Sequence, residues 1–164
     1  AAVQALDAAQ RIVIFGIGPS ASLAAYVATM LARGGRDTLV LNATGSMLAD
    51  QLLRLHKGDV LLMLAYTRLY AEVKAVFAQA RILGLTTILL TEAQGTALAK
   101  QAGLIVAVTR GRPGGVALHG ATLMALEAII FALAAARPEA ALTSLDRLAA
   151  LRRTIAGGRD PGHP

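Results

Sequence analysis

Arg11-Ile-Val-Ile-Phe-Gly-Ile-Gly-Pro-Ser-Ala-Ser22 joins a short apolar run to two glycines and to the start of a helical pattern. The apolar run, Ile12 to Phe15, has no polar alternation, which is typical of a strand buried on both faces of a parallel sheet. Gly16 and Gly18 allow a sharp turn and a close approach of the backbone to a ligand, and Ser20 is expected to cap the helix that follows. This unit predicts either an anion-binding helix N-terminus or a plain strand-to-helix turn.

Strand and helix patterns alternate through the rest of the chain. Further strands are predicted at residues 37–41, 60–64, 86–90 and 104–108. Helices are predicted at residues 22–33, 46–55, 71–83, 97–102, 118–136 and 138–155. Strict alternation predicts an α/β fold with a doubly wound, five-stranded parallel sheet and helices on both faces. With the strand order 2-1-3-4-5, the loops at 16–22 and 65–70 would face each other at the carboxyl ends of strands one and three.

The length of 164 residues fits one domain with a full core. Residues 1–10 have a short helical pattern that resembles the end of a preceding helix or linker. Residues 11–156 form the predicted domain, and residues 157–164 form a C-terminal tail. The long apolar helix at 118–136 exceeds what one sheet face covers, so we expect a homodimer or a higher homo-oligomer.

Several classes of protein are disfavoured by composition. The sequence has no cysteine, and its three histidines lack the spacing of a zinc site, so we expect neither a metal nor another cofactor. The most apolar segment, Val116 to Ala136, contains His119 and Glu127, which favours a buried amphipathic helix over a membrane span. With no signal-peptide pattern at its start, the chain is expected to be a cytoplasmic fragment.

The formal charge of +6 is compatible with nucleic acid, with anionic ligands or with a solvated surface. The basic residues are spread along the chain, however, and none of them forms a stripe interleaved with aromatic residues. Direct binding of nucleic acid by these 164 residues is therefore not expected.

The glycine turn leaves two kinds of ligand to compare. Residues 16–21 fit the dinucleotide pattern G-x-G-x-x-A, which requires an acidic residue at the end of the second strand. Leu41 and Asn42 stand there, while Asp37 lies at the opposite end of that strand. A small phosphorylated ligand therefore fits better than a dinucleotide.

The candidate ligand-binding residues supply amides, hydroxyls and one guanidinium at the loops after strands one, three and four. They are Gly18, Ser20, Ser22, Thr67, Arg68 and Thr91. The alternative for the second loop is structural, with Thr67 capping the next helix and Arg68 pointing into water.

Four segments in this order resemble the sugar isomerase (SIS) domain, most of all the effector domain of RpiR-type bacterial transcription regulators. They begin with Ile12-Val-Ile-Phe-Gly-Ile-Gly-Pro-Ser-Ala-Ser-Leu-Ala-Ala25 and continue at residues 58–67, 80–92 and 98–103. The resemblance covers about residues 11–133 and implies the flavodoxin-like SIS fold, dimerisation through helices and recognition of a phosphosugar. It also implies that DNA is contacted only through an N-terminal helix-turn-helix domain, which this sequence lacks.

The resemblance departs from the family pattern at the phosphate loop. Residues 65–70 match the family's S-x-S-G-x-T, but Ala65 and Thr67 replace the two serines, Arg68 replaces the glycine and Tyr70 replaces the threonine. Two interpretations stay open: Arg68 restores an altered anion site, or its bulk blocks the old site. We expect a retained but changed anionic site.

Isomerases of this family need a base and an acid, usually Glu and His. His119 and Glu127 are the candidates, but on one helix they lie about 12 Å apart along the axis, too far to serve one small substrate. We expect His119 at a helix start or a dimer interface, and Glu127 as a buried carboxylate that is hydrogen-bonded or paired with a cation. The favoured function is a non-catalytic phosphosugar sensor, the alternatives being a sugar-phosphate isomerase and a degenerate domain kept for dimerisation.

Overall fold

The computed structural model describes residues 1–66, 68–92, 94–111 and 115–157. Five strands are present in these residues: β1 (Arg11–Phe15), β2 (Thr38–Leu41), β3 (Asp59–Leu64), β4 (Thr86–Thr91) and β5 (Leu104–Ala107). The helices are α1 (Ala2–Ala8), α2 (Pro19–Arg33), α3 (Ser46–Leu52), α4 (Ala71–Leu83), α5 (Gly120–Ala136) and α6 (Pro138–Ile155). A 3₁₀ turn, Ala99–Gln101, stands where a short helix was predicted.

All strands pair in parallel, in the order β2-β1-β3-β4-β5, which confirms the predicted sheet. Phe15 at the end of β1 lies between Leu41 of β2 and Met63 of β3. Because chain connections leave β1 and β3 in opposite directions across the sheet, the order reverses between these two strands. A crevice is therefore expected at their carboxyl ends.

Two apolar cores lie on opposite faces of the sheet because successive strand side chains point to opposite sides. Ile12 and Ile14 of β1 face the core formed with α1, α2 and α5. Val13 and Phe15 face the core formed with α3 and α4. All six residues of β3 are buried, as expected for a central strand covered on both faces.

The N-terminal helix is part of the first core. Leu6 is fully buried, and α1 packs against α5. The carboxylate of Asp7 accepts hydrogen bonds from the guanidiniums of Arg36, which follows α2, and Arg137, at the junction of α5 and α6. These two ion pairs, with desolvation opposing them, hold the pKa of Asp7 below its ordinary value.

A third ion pair lies at the amino ends of the central strands. Arg11 donates from Nε and Nη2 to the two carboxylate oxygens of Asp59, at 3.0 and 2.7 Å. The same carboxylate accepts the backbone N–H of His56 at 2.8 Å. Asp59 is buried, and the bidentate pair joins β1 to β3 at the end of the sheet opposite the crevice.

None of the described helices is long and apolar enough to cross a membrane by itself. Only α5 and α6 taken together reach that length and composition, and they are bent by 104° at the break between them.

Candidate functional site

A crevice of about 300 Å³ opens at the carboxyl ends of β1 and β3. Its walls include residues 17–20 from the loop after β1 and residues 64–66, Arg68 and Tyr70 from the loop after β3. The two loops thus face each other, as the strand order predicted. Arg110 and His119, from the segment between β5 and α5, close the third side.

The first loop turns at Gly18, whose φ of 58° is a conformation that favours glycine. Gly18 is the N-cap residue of α2, and Pro19 occupies the first helical position, where its missing N–H costs nothing. The prediction that Ser20 caps the helix is therefore wrong, because the helix starts before it. Ser20 instead lies in the first helical turn, buried, where it lines the crevice.

Gly16 sets the close packing of this turn. A Cβ at this position would lie 2.5 Å from the carbonyl oxygen of Ser20, well inside van der Waals contact. Its backbone N–H donates to the carbonyl of Leu41 in β2 at 3.1 Å. The absence of a side chain at Gly16 lets the start of α2 lie directly over the end of β1.

The second loop provides the one guanidinium that the sequence predicted. Arg68 is exposed, lines the crevice and has no hydrogen bond or ion pair with another described residue. Tyr70, half-exposed beside it, is the N-cap residue of α4. Thr67, the remaining candidate in this loop, lies outside the described residues.

The structure does not bring the other two candidates to the crevice wall. Ser22 is exposed on α2 and does not line the crevice. Thr91 is fully buried, and its hydroxyl donates to the carbonyl of Tyr66 at 2.8 Å. Thr91 therefore holds the second loop in place from β4, and its contact with a ligand is not supported by the geometry.

Sequence reasoning missed Arg110 as a site residue. Its guanidinium carbon lies 3.8 Å from the centre of the Tyr66 ring, a cation–π contact. Its Nη2 donates to Nε2 of His119 at 3.1 Å. The sequence indicated this role only through the position of Arg110 after β5, since the carboxyl ends of all strands in a parallel sheet lie at the same edge.

His119, expected at a helix start or dimer interface, is the N-cap residue of α5 and lines the crevice. Its Nδ1 lies 3.3 Å from the hydroxyl of Tyr66, which is also 3.3 Å from Oγ1 of Thr122. A guanidinium has only donors, so Nε2 of His119 must accept, and the proton belongs on Nδ1. The hydrogen bonds then run in one direction, from Arg110 through His119 and Tyr66 to Thr122.

The charge state of His119 agrees with this assignment. Burial, and then the nearby charge of Arg110, lower the pKa of His119 from its ordinary value of 6.5. His119 is therefore neutral at pH 7 and leaves the positive charge of the crevice to the two arginines.

Glu127, expected to be buried, is exposed, and this part of the prediction is wrong. Its carboxylate accepts a hydrogen bond from the Tyr26 hydroxyl at 2.8 Å, which joins α5 to α2 and raises the pKa of Tyr26. Glu127 does not line the crevice, and none of the described lining residues is an aspartate or glutamate. The crevice thus combines two guanidiniums, a neutral imidazole and a serine without a carboxylate.

The sequence and fold of this chain were compared with those of known proteins. The model of the SIS domain family matches residues 5–136. No curated protein matches the sequence.

Solved structures with the same fold include the sugar isomerase domain of an RpiR transcription factor from Sphaerobacter thermophilus. It is 25% identical with a TM-score of 0.81, and the match covers 90% of this chain and 82% of that one. The Vibrio vulnificus NanR protein complexed with ManNAc-6P is 20% identical with a TM-score of 0.75, covering 94% and 59%. A Methanococcus jannaschii protein whose structure infers a 3-hexulose-6-phosphate isomerase is 18% identical with a TM-score of 0.70, covering 89% and 80%.

Proposed function

Because this chain belongs to the SIS domain family, we propose that it is the phosphosugar-sensing effector and dimerisation domain of an RpiR-type bacterial transcription regulator. The observation that carries the proposal is the open crevice between the loops after β1 and β3, with two guanidiniums and no carboxylate among its described walls. DNA contacts belong, in this proposal, to a helix-turn-helix domain outside these 164 residues. The site of action is the cytoplasm.

The charge of the crevice supports an anionic ligand. Arg68 and Arg110 are always protonated, and His119 is neutral at pH 7, so the described walls carry positive charge only. Ser20 adds a hydroxyl at the first turn of α2. These groups match a sugar phosphate, the class of ligand bound in the NanR structure.

The geometry favours sensing over isomerisation. Aldose–ketose isomerisation needs a base that moves a proton between adjacent carbons, and a carboxylate is the usual group in this family. Glu127 is hydrogen-bonded to Tyr26 and lies away from the crevice. Both ring nitrogens of His119 are engaged, by Arg110 and Tyr66. The isomerase stays the second candidate, because a neutral imidazole lines the crevice.

The last two helices support dimerisation. Met124 and Phe131 of α5 are seven residues apart, on one side of the helix, and are 74% and 76% exposed. Large apolar side chains of α6 are also exposed, Leu142 and Leu151 among them. A second copy of this chain would cover these residues, and a ligand that changes how the two copies pack would move the attached DNA-binding domains.

A degenerate domain is disfavoured because Arg68 and Tyr70 line the crevice without filling it. The open volume of about 300 Å³ is large enough for a small phosphorylated ligand.

Calorimetric titration of aldose and ketose phosphates tests the ligand, with product analysis of the same mixtures. We expect binding without turnover, and about tenfold weaker binding for Arg68→Ala, since a charge-assisted hydrogen bond is lost. Lys74→Ala, an exposed cation on α4 outside the crevice, is the matched control and should bind normally. Turnover would favour the isomerase, and a stable dimer that binds none of the compounds would favour the degenerate domain.

Sedimentation tests the dimer separately. Phe131→Glu should shift the protein towards the monomer, whereas Lys74→Glu, on the opposite face of the sheet, should leave the assembly unchanged. A wild-type protein that sediments as a monomer at micromolar concentration would refute the dimer.

A further inference from the structure

A cavity of about 260 Å³ lies between α2, α5 and α6, apart from the crevice. Its floor is apolar, with Leu31 and Leu133 almost fully buried, and Leu145 of α6 stands half-exposed at one wall. Well-packed protein interiors contain few voids larger than a water molecule. Because apolar walls give water few hydrogen-bond partners, an apolar group would replace the water there favourably.

This cavity lies at the other end of the same two helices that begin at the crevice. Helix α2 begins at Pro19, in the crevice, and its last residue, Arg33, lines the cavity. Helix α5 begins beside His119, in the crevice, and contributes Ile130 and Leu133 to the cavity. The 15 residues of α2 span about 22 Å, so a small ligand of the crevice does not reach the cavity. The two are separate sites.

Three guanidiniums line the cavity, and none of its described lining residues is an aspartate or a glutamate. Arg36 is already bound, since its guanidinium donates to the carboxylate of Asp7 and to the carbonyl of Leu133. Arg33 of α2 and Arg152 of α6 are exposed and therefore lie at the opening. The ion pairs of the described chain use other arginines, so these two guanidiniums have no carboxylate partner there. An anionic head group at the opening would supply one.

The volume of the cavity sets the size of the apolar group that fits. In another protein, an apolar cavity of about 150 Å³ holds benzene, which has six carbon atoms. At the same packing, the cavity of about 260 Å³ holds roughly ten carbon atoms. The ligand that matches both size and charge is an unbranched apolar chain of this length with an anionic end.

We propose that this cavity binds a free medium-chain fatty acid, with its alkyl chain against Leu31, Leu133 and Leu145 and its carboxylate between Arg33 and Arg152. The charge of the lining favours the acid over other head groups, because the guanidiniums repel an amine and an alcohol forms no ion pair with them. The proposal goes beyond the binding of a phosphosugar and does not depend on it, because the two ligands occupy opposite ends of α2 and α5.

Calorimetric titration with saturated fatty acids from hexanoate to dodecanoate, below their micelle concentrations and at fixed ionic strength, tests the proposal. Each methylene group that is buried should tighten binding about fourfold, so the affinity should rise steeply from hexanoate to decanoate. Dodecanoate should gain little more, because its additional carbons extend into water. Octylamine, which has the opposite charge, should bind at least about tenfold more weakly than octanoate.

Variants separate the head-group contact from the apolar contact. Arg152→Gln should weaken decanoate binding about tenfold, because a charge-assisted hydrogen bond is lost, and should leave 1-octanol binding within about twofold. Arg153→Gln is the matched control, since Arg153 is also exposed on α6 but does not line the cavity, and its affinity for decanoate should be unchanged. Ala134→Phe fills part of the cavity, so the gain in affinity with chain length should end at a shorter acid. Circular dichroism checks the fold of each variant, and if Ala134→Phe does not fold, the two arginine variants carry the comparison.

Several results would refute the fatty-acid site. They are an affinity that does not depend on chain length, equal affinities for octanoate and octylamine, and equal weakening by Arg152→Gln and Arg153→Gln. If no acid binds, the proposal is also refuted, and a weaker self-association of Ala134→Phe in sedimentation would then assign the cavity to a contact between copies of this chain. Arg152→Gln should bind sugar phosphates as the wild type does, so none of these outcomes bears on the phosphosugar sensor.

Discussion

Gly16→Ala should destabilise the protein through a steric contact at the start of α2. The added Cβ would lie 2.5 Å from the carbonyl oxygen of Ser20, a backbone atom in the first turn of a 15-residue helix. Overpacking of a tight site typically costs ~1–3 kcal/mol, and this contact belongs at the upper end because no flexible side chain can yield. The smaller entropy of the unfolded alanine chain offsets ~0.4–1 kcal/mol, which leaves a net loss of about 2 kcal/mol.

Gly120→Ala is the matched control for that change. Gly120 is the first residue of α5, its φ is not positive, and a Cβ there meets nothing within 4 Å. The same entropy gain should therefore appear without a clash, as a stabilisation of ~0.4–1 kcal/mol. The two variants should differ by about 3 kcal/mol.

Urea unfolding followed by far-UV circular dichroism measures this difference, because the protein has no tryptophan for fluorescence. Both variants and the wild type are compared at one protein concentration, since an oligomer links stability to concentration. In thermal unfolding, a loss of 1 kcal/mol lowers Tm by about 3 °C for a chain of this size, so Gly16→Ala should lower Tm by ~6 °C. If the unfolding free energies of Gly16→Ala and Gly120→Ala agree within ~0.5 kcal/mol, the close approach of Gly16 to Ser20 does not constrain the loop.

Three further predictions concern charged groups. Asp59→Ala should cost ~2–4 kcal/mol in urea unfolding, because it leaves the guanidinium of Arg11 unpaired in a largely buried site; a loss below 1 kcal/mol would contradict this. Because the pKa of His119 is lowered in the folded state, stability should fall as the pH drops below the ordinary value of 6.5. The fall should be smaller in His119→Gln, because glutamine does not titrate; parallel pH profiles of the two proteins would argue against it. The pKa of Asp7 is also lowered, so the stability that its ionised carboxylate provides is present above the ordinary value of 3.8 and is lost as the pH falls below it. In urea unfolding, Asp7→Asn should therefore be less stable than the wild type at pH 6, and its stability should decrease less between pH 5 and 3.

The sheet was predictable because its signal is local. Runs such as Ile12 to Phe15 and Val60 to Leu64 are too apolar for a strand with one solvated face, and each ends at a loop that begins the next helix. The start of α2 was placed too late, at residue 22, because the cap was assigned to Ser20. The geometry of Gly18 and Pro19 starts the helix at residue 19 instead.

The site was predictable only in part, because it depends on contacts between distant residues. Tyr66 and His119 are 53 residues apart, and no spacing in the sequence indicates that their side chains touch. Thr91 has a hydroxyl at the end of a strand, as a ligand-binding residue would, but only the structure shows that this hydroxyl donates to the carbonyl of Tyr66. Glu127 was misplaced because α5 is apolar nearly all round, so the pattern gave no indication of which side faces the sheet.

The division of the core between the two sheet faces has a consequence for synthesis of the chain. The face covered by α3 and α4 is built almost entirely from residues 13–98, so it can close while the C-terminal third is still inside the ribosome. The other face also needs Leu126, Ile129 and Leu133 of α5, and until they emerge α1 and α2 cover it only in part. We expect a nascent chain whose first 105 residues have emerged, with α5 still inside the ribosome, to have one sheet face closed and the other face partly exposed.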